Sequence, residues 1–339
     1  MKKGVVSVFV SLIIAFTGLE IFYIVLCNNA TLLLKMPDPI ISHIRTVFWH
    51  SPYRRYVQFD PACAEFDPEI FYRLKPSGSC VQETSEFKVR YDNNSAGVRD
   101  DEESLVSPEI IALGDSQAMG WGVHKEDRFT EFLERATGKK VLNVAVSSWG
   151  PARELLMLKR LDLSNVKTII FQHASNDAYE SEAYLQNTEL FHKTRNEKEW
   201  STRSQFDDEK SQYFFGKNVY LLITQLWRLY NDGFHQLKIS EKEGEHFLQI
   251  LKMLKPQTSN DIHYIIFSVN VKRTFHSKFI ERLNKAYEHP EFQKEFPHFD
   301  TLNITEELNQ DQYRFVIDNH LTRKGHEFVA SKILPILKN

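Results

Sequence analysis

The chain has 339 residues, 42% of them apolar and 26% charged, with 42 basic against 45 acidic residues and a net charge of −3. Those are the values of a folded protein with ample core, and the balanced charge leaves no basic footprint for a nucleic acid. No internal repeat or low-complexity tract interrupts the chain, so its length allows one large domain with accessories.

The first predicted element spans a membrane. Met1-Lys2-Lys3 precedes a run from Gly4 to Cys27 that is apolar except for Ser7, Ser11, Thr17 and Glu20. About 20 apolar residues cross a bilayer as a helix. A removed signal peptide has a shorter apolar core and small residues at its cleavage site, whereas Ile24-Val25-Leu26 stand before Cys27. Residues 1–30 therefore read as an uncleaved anchor in preference to a removed signal. Lys2, Lys3 and the amino terminus favour a cytoplasmic N-end and leave the rest extracytoplasmic, periplasmic or at the cell surface. A carboxylate in hydrocarbon costs a few kcal/mol. Glu20 is accordingly protonated, marks a partner helix, or lies near enough to the outer boundary to reach the headgroups.

Residues 31–106 read as a membrane-proximal stalk followed by a small β-rich accessory unit. Pro37, Pro39 and Pro52 interrupt the stalk, and Arg54-Arg55 follow Phe48, Trp49 and Tyr53, a basic-aromatic mix for a surface segment or for headgroups. Asp67-Pro68 and Lys75-Pro76-Ser77-Gly78 signal turns, and residues 86–91 alternate polar and apolar as a half-buried strand does. Cys63 and Cys80 are the only cysteines outside the anchor. In an oxidising compartment a disulfide between them is expected, with two separate core thiols as the alternative.

From Ser107 the pattern alternates. Strands are predicted at 109–113, 141–146, 168–172, 262–269 and 299–302, and helices at 129–136, 151–161, 241–254, 277–288 and 322–337. An insertion over about 179–255 breaks the rhythm with charged loops and an amphipathic helix near 218–230. This predicts an α/β domain over 107–339 with a parallel sheet of about five strands and helices on both faces. Sites in such sheets form at the carboxyl ends of the strands.

Three of those strand ends and the loop before the last helix carry polar residues. They read Gly114-Asp115-Ser116, Ser147-Ser148-Trp149-Gly150, Ala174-Ser175-Asn176-Asp177 and Asp318-Asn319-His320-Leu321-Thr322. Gly-Asp-Ser alone is a common helix start. Together the blocks place a hydroxyl, backbone amides, an amide side chain and an acid–histidine pair on one rim. Acyl transfer from an ester needs that inventory: an imidazole to take the hydroxyl proton, a carboxylate to hold the imidazole, and donors for the oxyanion. His124, His173, His263 and His326 lack metal-ligand spacing, and no metal or organic cofactor is implied. Trp121 and Trp149 lie near the blocks in sequence, as pocket walls or as core.

The four blocks resemble those of the SGNH, or GDSL, hydrolases. The resemblance implies a flavodoxin-like three-layer α/β/α fold over about 107–339. It makes Ser116 the nucleophile, His320 the base and Asp318 its partner. The amides of Ser116 and Ser148 and the side chain of Asn176 become the oxyanion donors, and Asp115 a loop brace. Two departures replace glycines: Ser148 closes the second block, which opens at Asn143, and Ala174 opens the third. The backbone at both is therefore expected to avoid a glycine-only conformation. Asp318 and His320 stand two apart, a spacing that related branches share. Residues 67–76 and 94–100 also resemble segments preceding the catalytic domain in membrane-anchored bacterial members. The implied function is an extracytoplasmic serine esterase acting on short-chain or O-acetyl esters, with an acylated glycan or lipid as substrate. The same residues would serve an O-acyltransferase acting on an envelope glycan, and a catalytically silent glycan-binding or scaffold protein that keeps the fold is the remaining rival. Substrate choice is expected to lie in the 179–255 insertion.

Overall fold

A computed structural model describes residues 2–49, 54–232, 240–255, 261–270 and 278–338; Pro52, Tyr53 and Ser277 of the predicted segments lie outside them. The apolar run forms a single helix, α1 (Lys2–Cys27), whose 24 residues from Gly4 to Cys27 are long and apolar enough to cross a membrane. Its first half stands clear of the protein, with Val5, Phe9, Leu12 and Ile14 exposed. Its second half does not. Tyr23, Leu26 and Cys27 pack with Leu33 of α2 (Ala30–Leu33) and with Ile41, Ile44, Val47 and Phe48 of α3 (Asp38–Trp49). Those α3 positions recur at helical spacing and form one apolar face. The segment read as a surface stalk is thus a packed helix.

Two antiparallel hairpins follow, β1 (Ala64–Asp67) with β2 (Phe71–Leu74) and β3 (Ser79–Glu83) with β4 (Lys88–Asp92). A Cys63–Cys80 disulfide ties them together, with Cα atoms 5.2 Å apart. Isolated two-stranded sheets are marginal in water. Accordingly Ile70, Tyr72, Leu74, Val89 and Tyr91 share one core with the main sheet.

The main domain runs β5 (Ile110–Leu113), α4 (Ser116–Met119), α5 (Phe129–Thr137), β6 (Val141–Asn143), α6 (Pro151–Leu158) and β7 (Thr168–His173). The insertion then forms α7 (Asp177–Gln186), α8 (Thr188–Thr194), α9 (Glu197–Ser211) and α10 (Lys217–Asp232). The domain closes with α11 (Glu243–Leu254), β8 (His263–Ser268), α12 (Phe279–Tyr287), α13 (Pro290–Glu295), β9 (Phe299–Leu302) and α14 (Arg323–Lys338). All five strands are parallel in the order β6-β5-β7-β8-β9, the flavodoxin-like order. Every residue of β5 and β7 is buried, as in a sheet covered on both faces. Helices α5 and α14 pack together, and α11 packs against α6, α7 and α12.

The predicted charged loops of the insertion are helices. Asn187 and Asn196 cap α8 and α9 by accepting from the amides of Leu190 (2.8 Å) and Glu199 (3.0 Å). Helix α9 is polar on nearly all sides and so lacks an apolar period to reveal it. Glu20 is fully buried. Its carboxylate accepts from the Tyr213 hydroxyl (2.8 Å), the Asn218 side-chain amide (3.0 Å) and the Val219 backbone amide (3.0 Å) at the start of α10.

Candidate active site

The serine turn is built by its neighbours. Gly114 ends β5 with φ of +148°, and a Cβ there would lie 2.7 Å from Gln172 Oε1 and 2.8 Å from the Ala118 side chain. No other residue fits. Gln172 Oε1, from β7, accepts from the amides of Asp115 (3.1 Å) and Ala118 (3.2 Å). Asp115 caps α4 through the Gln117 amide (2.8 Å), and burial raises its carboxyl to about 6 against that hydrogen bond. Arg99 closes the other end, donating to the carbonyls of Met119 (3.2 Å), Gly120 (2.6 Å) and Val123 (2.7 Å).

Ser116 Oγ lies 2.8 Å from His320 Nε2, and His320 Nδ1 is bonded to Asp318 Oδ1. All three side chains are buried. Asn319 stands between acid and histidine with φ of +70°, a left-handed conformation that asparagine tolerates. Glu86 braces this loop, accepting from the amides of Val316 (2.6 Å), Ile317 (2.9 Å) and Asp318 (2.7 Å).

Two residues from the supposed stalk and one tryptophan complete the cluster. Trp121 Nε1 donates to Asp318 Oδ2 (3.2 Å), and its ring stacks on His320 with centroids 5.3 Å apart. Trp49, at the end of α3, stacks on His320 at 5.9 Å. Arg54 pairs with Asp318 Oδ2 at 3.4 Å and sits 3.6 Å from the Trp49 ring centroid. Trp149 instead belongs to the core and donates to the Tyr72 carbonyl (3.1 Å). Arg54, Trp49 and Glu86 escape sequence reasoning because each comes from a segment far along the chain. The only signal was the run of Trp49 with Arg54-Arg55.

Burial pushes the His320 imidazole below its ordinary 6.5, although Asp318 pulls the other way. Burial also raises the Asp318 carboxyl, but His320, Arg54 and the Trp121 N–H outweigh it and hold the acid below its ordinary range. At neutral pH the pair is therefore a neutral imidazole on a carboxylate. In the third block, burial and the nearby Glu154 and Asp115 push Asp177 well above the usual carboxylate range.

The second block departs from expectation. Ser148 does adopt the left-handed conformation, with φ of +59°. That costs roughly 1–2 kcal/mol in a residue with a Cβ. It is held there by Gln58, which donates to Ser148 Oγ (3.1 Å), and by Arg153, which donates to its carbonyl. Ala174 shows no such strain. The Val146 amide bonded to the Gly114 carbonyl (3.2 Å) keeps the first two blocks side by side. Among the described residues the amides of Ser116 and Ser148 donate to nothing, and each can receive a developing negative charge. Asn176 lies exposed after β7 and donates one Nδ2 proton to Asp177 Oδ1 (3.2 Å), which leaves the second. His173 and His326 are buried against Phe279 and Phe129, and the described residues hold no cluster of three metal-ligating side chains.

No protein-family model and no curated protein matches the chain. Solved structures similar to it include TesA, at 12% identity and a TM-score of 0.38 over 68% of this chain and 97% of that one. A member of the lipolytic G-D-S-L family from Veillonella parvula DSM 2008 has 12% identity and a TM-score of 0.33 over 68% and 98%. A carbohydrate esterase with divergent catalytic and non-catalytic binding functions has 10% identity and a TM-score of 0.39 over 69% of each chain.

Proposed function

We propose that this chain is a membrane-anchored serine esterase of the SGNH type. The observation that carries the reading is the chain of contacts from Ser116 Oγ through His320 to Asp318. Ser116 Oγ attacks the acyl carbonyl while His320 Nε2 takes its proton. The Ser116 and Ser148 amides and the second Asn176 Nδ2 proton receive the oxyanion. His320 then returns the proton to the departing alcohol. Water attacks the acyl-serine, gives His320 its proton and releases the acid, and the proton returns to Ser116.

A cleft beside Ser148 supports a reading of the substrate class. It is about 720 Å³ and is lined by Gln58, Tyr72, Ser148, Arg153, Arg195 and Arg203 among others. Its arginines and Gln58 suit a polar alcohol moiety such as an acylated glycan, and Phe59, Phe71 and Leu190 give it an apolar side on which a sugar ring can stack. With a sugar hydroxyl in place of water as the attacking group, the same residues would carry out an acyl transfer. With α1 in the bilayer and Lys2 and Lys3 on the cytoplasmic side, the domain faces outwards.

The test uses the full chain in detergent or nanodiscs. Wild type is expected to hydrolyse a short-chain aryl acetate, and Ser116→Ala to lose that activity. Equal rates in both would remove Ser116 from the chemistry.

A further inference from the structure

The insertion ends in an apolar surface that the proposed chemistry does not use. Phe214 and Phe215, just before α10, are 54% and 62% exposed, and Tyr220, Ile223 and Trp227 on α10 are 57–67% exposed. The α10 residues stand at i, i+3 and i+7 and share one face. On another side of the helix, Leu221 and Leu222 pack on the cluster formed by α1 and α3. We propose that the outer leaflet of the bilayer covers this surface, so that the Tyr213–Phe215 turn and the exposed face of α10 lie embedded beside α1. The inference rests on the reading of α1 as a membrane-spanning helix.

Counting along α1 sets the depth. At about 1.5 Å per residue, a hydrocarbon core of roughly 30 Å takes about 20 residues. Starting at Gly4, after the two lysines, the outer boundary falls at about Tyr23, and a tilted helix moves it further along the chain. Glu20 then lies about 5 Å inside the hydrocarbon and Phe16 about 10 Å inside. Both are tied to the insertion. The Phe215 ring is 5.8 Å from the Phe16 ring, and Gly216 backs onto Phe16 so closely that a Cβ would lie 2.7 Å from it. Glu20 receives the Asn218 and Val219 amides in the first turn of α10.

That last contact makes sense at this depth. A carboxylate in hydrocarbon needs donors, and a helix N-terminus there needs an acceptor that water cannot supply. Each answers the other. Aromatic and aliphatic side chains on the outward face suit an interfacial helix. The cluster joining α1 and α3 includes Ile317, the residue before Asp318. The dock therefore holds the acid–histidine loop at a fixed height over the membrane, where membrane-attached or surface-bound esters are met.

The experiment places an environment-sensitive fluorophore on single cysteines in the full chain in phosphatidylethanolamine–phosphatidylglycerol nanodiscs. Phe214→Cys and Ile223→Cys report the dock, Ile14→Cys reports α1, and Met253→Cys on α11 is the exposed control; native Cys27 is buried and Cys63 and Cys80 are joined. Lipids carrying a nitroxide on the upper acyl chain are expected to quench positions 214 and 223 several-fold more than 253. If 214 and 223 quench no more than 253 while 14 responds to a deep nitroxide, the dock is wrong and the anchor stands. If 14 also escapes, the anchor reading fails with it. Shielding of 214 and 223 from both lipid nitroxide and aqueous iodide would mean protein on the patch, such as a second copy, and would overturn the proposal.

Discussion

At the scale of single residues the account turns on His320. Its imidazole sits below 6.5 because burial disfavours the cation, and Arg54 adds to that. The base works only when neutral, so kcat/KM should fall on the acid side with a midpoint below that of an ordinary imidazole. Arg54→Met removes a cation beside the ring, so a pH–rate profile should show the acid limb moved to higher pH. An unmoved limb would deny Arg54 its influence. Trp121→Phe keeps the stacked ring and removes the N–H to Asp318, a loss of about 1–2 kcal/mol that should lower kcat roughly 5–30-fold in steady-state assays. Asp318→Asn leaves the imidazole without its orienting carboxylate and should lower kcat by about 10,000-fold.

At the scale of elements, the hairpin unit acts on the site through Glu86. Its carboxylate takes three successive amides of the Asp318 loop. In Glu86→Gln one of the two oxygens becomes a donor facing an amide, so thermal and denaturant unfolding should report a loss of about 1–3 kcal/mol, with kcat falling alongside. Opening the Cys63–Cys80 bridge with Cys63→Ala and Cys80→Ala should cost about 3 kcal/mol, the loss expected for a loop of this length. These elements also show what the sequence made legible. The five strands and the flanking helices announced themselves because apolar runs and turn signals report burial directly, and the strand at residues 299–302 was placed to the residue. The Ser116 block was legible as a strand end, and Asp318 and His320, which lie in the loop before α14, through the resemblance of their block to a known family's. Glu86, Gln172 and Arg54 were not, since their roles depend on partners 57 to 264 positions away. Helix α9 hid behind its polar surface, and Ser148 hid its left-handed backbone because Gln58 and Arg153 hold it from other segments.

At the scale of the molecule, the N-terminal apolar helix and the candidate site form one packed assembly. Helix α1 packs on α3, Trp49 at the end of α3 stacks on His320, and Ile317 of the same cluster adjoins Asp318. A fragment of residues 31–339 would leave Leu33, Ile41 and Phe48 facing water and should unfold earlier and turn over more slowly than the full chain in detergent. The central claim, that Ser116 is a nucleophile activated by His320, is tested most directly by a fluorophosphonate probe on the full chain with the adduct mapped by peptide mass spectrometry. The account predicts one adduct, on Ser116, lost in Ser116→Ala and formed far more slowly in His320→Ala. No adduct in the wild type, or one that persists in Ser116→Ala, would contradict it.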